Sequence, residues 1–165
     1  MREIKFRGKR INDPIIIERY APNGWVYGDF IDCSDESYIA PKDISGEFYV
    51  ERNYKFRAND IEARVMMAQV DTKTIGQFTG LKDKNGKEIY EGDIVCTRFP
   101  SNCEHAGQIC SIGDVRYEKG CFGAAWTSNE NAGWHFLRRF DDEIIDDIEV
   151  VGNIWDTPEL LKVER

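Results

Sequence analysis

Apolar and polar positions alternate along much of this chain, and a period of two marks half-buried strands. In "EIKFRG", Ile4 and Phe6 fall opposite Glu3, Lys5 and Arg7. "NGWVYGDFI" sets Asn23-Gly24 ahead of Trp25, Tyr27, Phe30 and Ile31, a turn leading into a second strand. "SYIA" and "GEFYV" are two further short strand candidates, and "RVMMAQV" is a continuous apolar run, short for a helix. In "DIVCTRF", Ile94, Cys96 and Arg98 alternate with Val95, Thr97 and Phe99, so either face can turn inward. "GQICSIGDVRYEKGCFGAAW" reads as two strands broken at Glu118-Lys119-Gly120, a hairpin turn.

Helical signals are few. Between Trp134 and Asp147, Phe136, Phe140 and Ile144 stand at four-residue spacing, which fits a helix or a strand followed by a short acidic turn of helix. "DTPELLKV" predicts a short closing helix, with Thr157 as cap, Pro158 at the first helical position and Glu159 near the positive end of the dipole. The segment Arg52 to Val65 fits a loop or a short helix. "PSNCEHAGQ" (Pro100 to Gln108) and "TSNENAG" (Thr127 to Gly133) read as loops. The fold class is therefore mainly β. A small, bent, SH3-like barrel unit is expected from about residue 70 to 165, with an N-terminal β subdomain over residues 1–69.

Composition narrows the function classes. Hydrophobic residues make up 41% of 165, with four Trp, nine Phe and seven Tyr, enough for a real core. The net charge of −8 opposes a general nucleic-acid binder, which has to replace condensed counterions. Five cysteines, an odd number, together with no signal peptide and no long apolar run, point to a soluble protein of a reducing cytosol, with no membrane span.

The stretch "QFTGLKDKNGKEIYEGDIV" (Gln77 to Val95) has the look of a ligand site and fails as one. A P-loop needs four residues between its glycines and a hydroxyl after its lysine. Here five residues separate Gly80 from Gly86, and Glu88 follows Lys87. Aligning Gly86 with the glycine of a calcium loop sets Asp83 and Asn85 on ligand positions, but Leu81 and Gly92 then occupy the two anchoring positions. Asn85-Gly86 instead reads as a two-residue hairpin turn in which both residues take positive φ, and Glu91-Gly92-Asp93 as a second change of direction.

Other chemistry is equally sparse. Cys103-Glu104-His105 with Cys96, Cys110 and Cys121 lack the paired spacing of a zinc site, and the cysteines read as buried or loop thiols. Cys103 and His105, two apart on a loop, do not position a base against a thiol. No catalytic, cofactor or metal residue is assigned. The run "DDEIIDDIEVV" offers a sharper alternative, in which Asp141, Asp142, Asp146 and Asp147 imitate DNA phosphates for a basic protein groove; the plainer reading is a solvated face.

The opening "REIKFRG", then "VYGDFI", "VDTKTIGQFTGLKDKNGKEIYEGDIV" and the closing "VVGNIWDTPELL" together resemble the YopX family of phage and prophage proteins. The span from Arg98 to Asp147 carries none of that signature. The resemblance implies a small, mainly β protein of phage origin without family catalytic residues. The matching positions are Gly76, Gln77, Gly80, Asp83, Asn85, Gly86, Tyr90, Gly92, Asp93, Gly152 and Asn153. Turn geometry accounts for most of them; Gln77 and Tyr90 are the two whose side chains it leaves unexplained, and they are the interaction candidates. The expected function is a non-catalytic phage accessory role through protein contacts, with a host or phage protein or by self-association. A DNA-mimic inhibitor and an enzyme acting on a nucleotide or nucleic acid are the alternatives.

Overall fold

A computed structural model describes residues 3–11, 22–41, 56–58, 61–63, 67–98, 104, 107, 109–126, 133–136 and 148–162. Those residues are mainly β and divide into two compact units, Glu3–Gln77 and Phe78–Arg165.

In the first unit, β1 (Phe6–Lys9), β2 (Trp25–Cys33), β3 (Glu36–Ala40) and β6 (Ala68–Val70) pair antiparallel in the order β6-β3-β2-β1. The start of β7 (Gly76–Lys82) lies on the other side of β1, with Gln77 opposite Phe6. The core gathers Val26, Ile39 and Val70, with Phe6, Ala68 and Ile75 packed on it. The simple alternation expected of "EIKFRG" does not hold. Ile4 is exposed, while Arg7 is buried with its guanidinium 4.9 Å from the centre of the Trp25 ring. The stacked cation reverses the inside–outside pattern that charge alone predicts.

Two short strands, β4 (Phe56–Ala58) and β5 (Ile61–Ala63), pair within Arg52 to Val65, so this part of that segment is neither loop nor helix. "GEFYV" lies outside the described residues.

In the second unit, the rest of β7 forms a hairpin with β8 (Glu88–Tyr90). A five-stranded antiparallel sheet follows, built from β9 (Asp93–Arg98), β10 (Ile109–Glu118), β11 (Cys121–Trp126), β12 (Gly133–Phe136) and β13 (Glu149–Asn153). Its order is β12-β11-β10-β9-β13. Ile89, Val95, Val115, Ala124, Ile148 and Val150 make its core. Ile94, Val95 and Cys96 are all fully buried, so both faces of β9 are covered; the question of which face turns inward has the answer that each does. The sheets are open: no closed barrel forms among the described residues, and the SH3-like detail does not emerge.

The Glu118-Lys119-Gly120 break is a hairpin turn as read. Glu118 pairs with Cys121, and Lys119 and Gly120 take φ of 52° and 83°, the mirror-image turn suited to twisted strands. The closing helix is a four-residue 3₁₀ turn, Pro158–Leu161, with Pro158 and Glu159 in its first turn. Thr157 does not cap it. Its hydroxyl is engaged with Asn153, accepting from the backbone N–H (3.1 Å) and donating to the carbonyl (3.2 Å). No helix among the described residues is long and apolar enough to cross a membrane.

Candidate functional site

Three polar side chains of the central stretch, Thr79, Asp83 and Asp93, hold backbone, and Asp83 reaches strand β13. Asp83, at the end of β7, is almost fully buried. Its Oδ1 accepts from the N–H groups of Asn85 (2.8 Å) and Lys87 (2.9 Å), and its Oδ2 from Val150 N–H (3.0 Å), 67 positions away. A carboxylate fits this position because two oxygens can take several N–H donors at once, and charged acceptors make the stronger bonds.

The turn it organises differs from the one predicted. Gly86 N–H donates to Asp83 O and Asp83 N–H to Lys87 O, and only Gly86 (φ 82°) takes a positive φ; Asn85 does not. This is a turn over Lys84 and Asn85 followed by a left-handed glycine, the longer hairpin loop. Asp83 imposes it, because its side chain ties down the two N–H groups on either side of Gly86. The calcium-like placement of Asp83 and Asn85 thus reflects a carboxylate bonded to its own loop.

The Glu91-Gly92-Asp93 bend is fixed in the same manner. Asp93 is buried, and its Oδ2 accepts from Tyr90 N–H (2.8 Å). Gly92 has φ 80°, donates to Val115 O (2.8 Å) and accepts from Ile154 N–H (2.9 Å). A Cβ on Gly92 would overlap the Trp155 ring, which covers the bend. Trp155 is held there by Asn153, whose Oδ1 accepts from the N–H groups of Trp155 (3.0 Å) and Asp156 (2.8 Å). Further along β7, the register shifts between Phe78 and Lys82; the Thr79 hydroxyl donates to Ile89 O (2.8 Å) and accepts from Leu81 N–H (3.2 Å) across the irregularity.

Two stretches far apart in sequence therefore make one junction, with β13 pairing Gly152 to Ile94 and Asn153 to Asp93. A family model described as YopX protein matches residues 21–162. The chain belongs to the YopX family. It is also similar to protein EF1440 from Enterococcus faecalis, a crystal structure, at 23% identity over 97% of this chain and 99% of that one, with a TM-score of 0.44. No match to a curated protein was found.

Of the YopX-motif side chains singled out in the sequence, Tyr90 is core. It is buried, its ring lies 5.4 Å from that of Phe78, and its hydroxyl donates to Glu88 (2.6 Å). Gln77 is half-buried in β7, opposite Phe6. Asp141, Asp142, Asp146 and Asp147 lie outside the described residues, as do Cys103 and His105. Cys96 is buried in β9, and Cys121 sits half-buried at the β10–β11 turn, its thiol directed at Glu118 O (3.3 Å). No group of three or more His, Cys, Asp or Glu among the described residues is placed to hold a metal ion.

Sequence reasoning missed two charged residues of β10 and one aromatic. Asp114 is buried and takes a two-point hydrogen bond from Arg116, Nη2 to Oδ1 at 3.0 Å and Nε to Oδ2. That bond raises the Arg116 pKa above its ordinary value, against the opposing effect of burial. Tyr117, next in the strand, is 52% exposed although its ring meets Phe122 edge-on at 5.0 Å. The alternation Val115–Tyr117 in β10 and Ala124–Phe122 in β11 contained that placement.

Proposed function

We propose that this YopX-family protein is a non-catalytic accessory factor of a bacteriophage or prophage, acting in the bacterial cytoplasm through contact with another protein. The observation that carries this reading is Tyr117, an aromatic ring more than half exposed near the end of β10, two residues beyond the fully buried Val115. Phe122 supports the ring from the paired strand, and Tyr117 N–H donates to Glu91 Oε1 (3.4 Å). A pre-positioned tyrosine with an apolar body and a polar tip is the residue type that anchors protein interfaces. The commitment of Asp83, Tyr90, Asp93 and Asn153 to backbone and core supports the same reading, since the longest motif of the chain then serves the fold.

The test is affinity capture from bacterial lysate, with and without nuclease, using the wild type, Tyr117→Ala and a variant with Asp141, Asp142, Asp146 and Asp147 changed to Asn. A nuclease-resistant partner lost from Tyr117→Ala is the expected result. A partner kept by Tyr117→Ala, released by salt and lost with the four Asn changes would replace this reading with the DNA-mimic one, because long-range attraction between exposed charges is screened.

A further inference from the structure

The chain contains two Asn-Gly pairs, Asn23-Gly24 and Asn85-Gly86, and such a pair carries its own chemistry. The glycine nitrogen, once hydroxide has taken its proton, is a nucleophile next to the asparagine side-chain carbonyl, and glycine has no Cβ to obstruct the attack. Asn85 and Gly86 are both exposed, and nothing lies within 4 Å of a Cβ built on Gly86, so water and hydroxide reach the pair. Hydrogen bonding restrains it. The nitrogen that would attack, Gly86 N, donates to Asp83 O (2.9 Å). The N–H groups of Asn85 and Lys87, on either side, both donate to Asp83 Oδ1 (2.8 and 2.9 Å), while Asp83 Oδ2 is anchored on Val150 N–H. Three successive N–H groups therefore converge on one residue.

We propose that Asn85 is a latent deamidation site, held back by the grip of Asp83 on its turn. In the reaction, Gly86 N gives its proton to hydroxide and bonds to Asn85 Cγ. The Cγ–Nδ2 bond then breaks and ammonia leaves, closing a five-membered imide. Water opens that ring at either carbonyl, leaving aspartate or isoaspartate at position 85. The sum is asparagine plus water going to a carboxylate plus ammonium, with no other reactant consumed. To attack, Gly86 N has to leave Asp83 O, and the peptide between residues 85 and 86 has to rotate toward the Asn85 side chain. Asp83 opposes both movements, because Oδ1 fixes the peptide groups before and after that one. The product places a negative charge two residues from Asp83, and isoaspartate adds one carbon to the backbone of the loop. A turn that has once let go is thereby marked permanently.

The experiment follows the full-length wild type in buffer and in urea, at one pH and temperature, beside Asp83→Ala and Asp83→Asn in buffer. Peptide mass mapping over time reads imide, aspartate and isoaspartate at position 85 separately from Asn23, and amide exchange is read at Gly86. The wild type is expected to react at least about tenfold more slowly in buffer than in urea, because unfolding frees every N–H of the turn. Folded Asp83→Ala should approach the urea rate, with Asp83→Asn between it and the wild type. Exchange at Gly86, also a hydroxide-driven loss of the proton from that nitrogen, should rise in the same order. Asp83→Asn decides alone if Asp83→Ala fails to fold. A wild-type rate in buffer equal to that in urea overturns the proposal, as does the lack of any product at position 85 in urea. So does a folded Asp83 variant that reacts no faster than the wild type.

Discussion

Two hairpin turns of the second unit, one over Asp83 to Lys87 and one at Lys119-Gly120, look alike as text and differ in what they do. Each joins antiparallel strands and each contains a glycine at φ above 80° with open space around it. The Lys119-Gly120 turn closes β10 on β11 and owes its form to the two residues between the strands. The Asp83 turn owes its form to one buried carboxylate that also binds Val150. A turn that serves only its own strands tolerates wide sequence change. A turn that reaches a third strand ties a longer run of residues to one geometry.

The largest effect is expected where the motif meets the closing segment. Gly92→Ala forces a left-handed backbone on a residue with Cβ, costing roughly 1–2 kcal/mol, and drives that Cβ into the Trp155 ring, adding roughly 1–3 kcal/mol. A loss of about 4 kcal/mol, read from the urea midpoint and accompanied by red-shifted tryptophan emission, is expected. A shift as small as that of Gly120→Ala would mean that Trp155 does not cover the bend. Next comes Asp83→Ala, which deprives three N–H groups of their acceptor, one of them on a buried core strand. It should cost about 3 kcal/mol, with Asp83→Asn near half of that because one acceptor oxygen remains.

That ranking marks where the sequence was readable. Alternation located β1, β2, β9, β10 and β11, because strand periodicity is a local property of the text. The break at Lys119-Gly120 was readable for the same reason. Asp83 was recognised as a member of the motif, but its partner lies 67 positions away, and spacing carries no signal over that distance. Arg7 misled the pattern because a cation stacked on Trp25 is buried where charge predicts exposure. Thr157 had the right neighbours for a cap, yet its hydroxyl is bound to Asn153, again a tertiary fact. Tyr90 stood out as a side chain without a turn function, and its place is in the core beside Phe78.

A smaller effect sharpens the contrast between the turns. Gly120→Ala pays only for its backbone conformation, since nothing lies within 4 Å of the added Cβ, and should cost about 1 kcal/mol. The same change at Gly86 should match it if the Asp83 carboxylate holds that loop whatever its glycine.

The smallest effects test why Asn-Gly is written in one turn and Lys-Gly in the other. The mirror-image hairpin turn favours Asn at its first central position, because asparagine tolerates positive φ better than lysine does. Yet Lys119 holds that position at φ 52°, while Asn85 sits in the turn that does not need it. Lys119→Asn should therefore stabilise the protein, by about 0.5 kcal/mol, as part of the left-handed strain on lysine is relieved. Asn85→Lys should change stability by less than about 0.5 kcal/mol, since Asp83 accepts the backbone N–H of residue 85 whatever its side chain. If Asn85→Lys instead proves as costly as Asp83→Ala, the asparagine side chain has a task of its own, and the strength of the Asp83 turn no longer lies in the carboxylate.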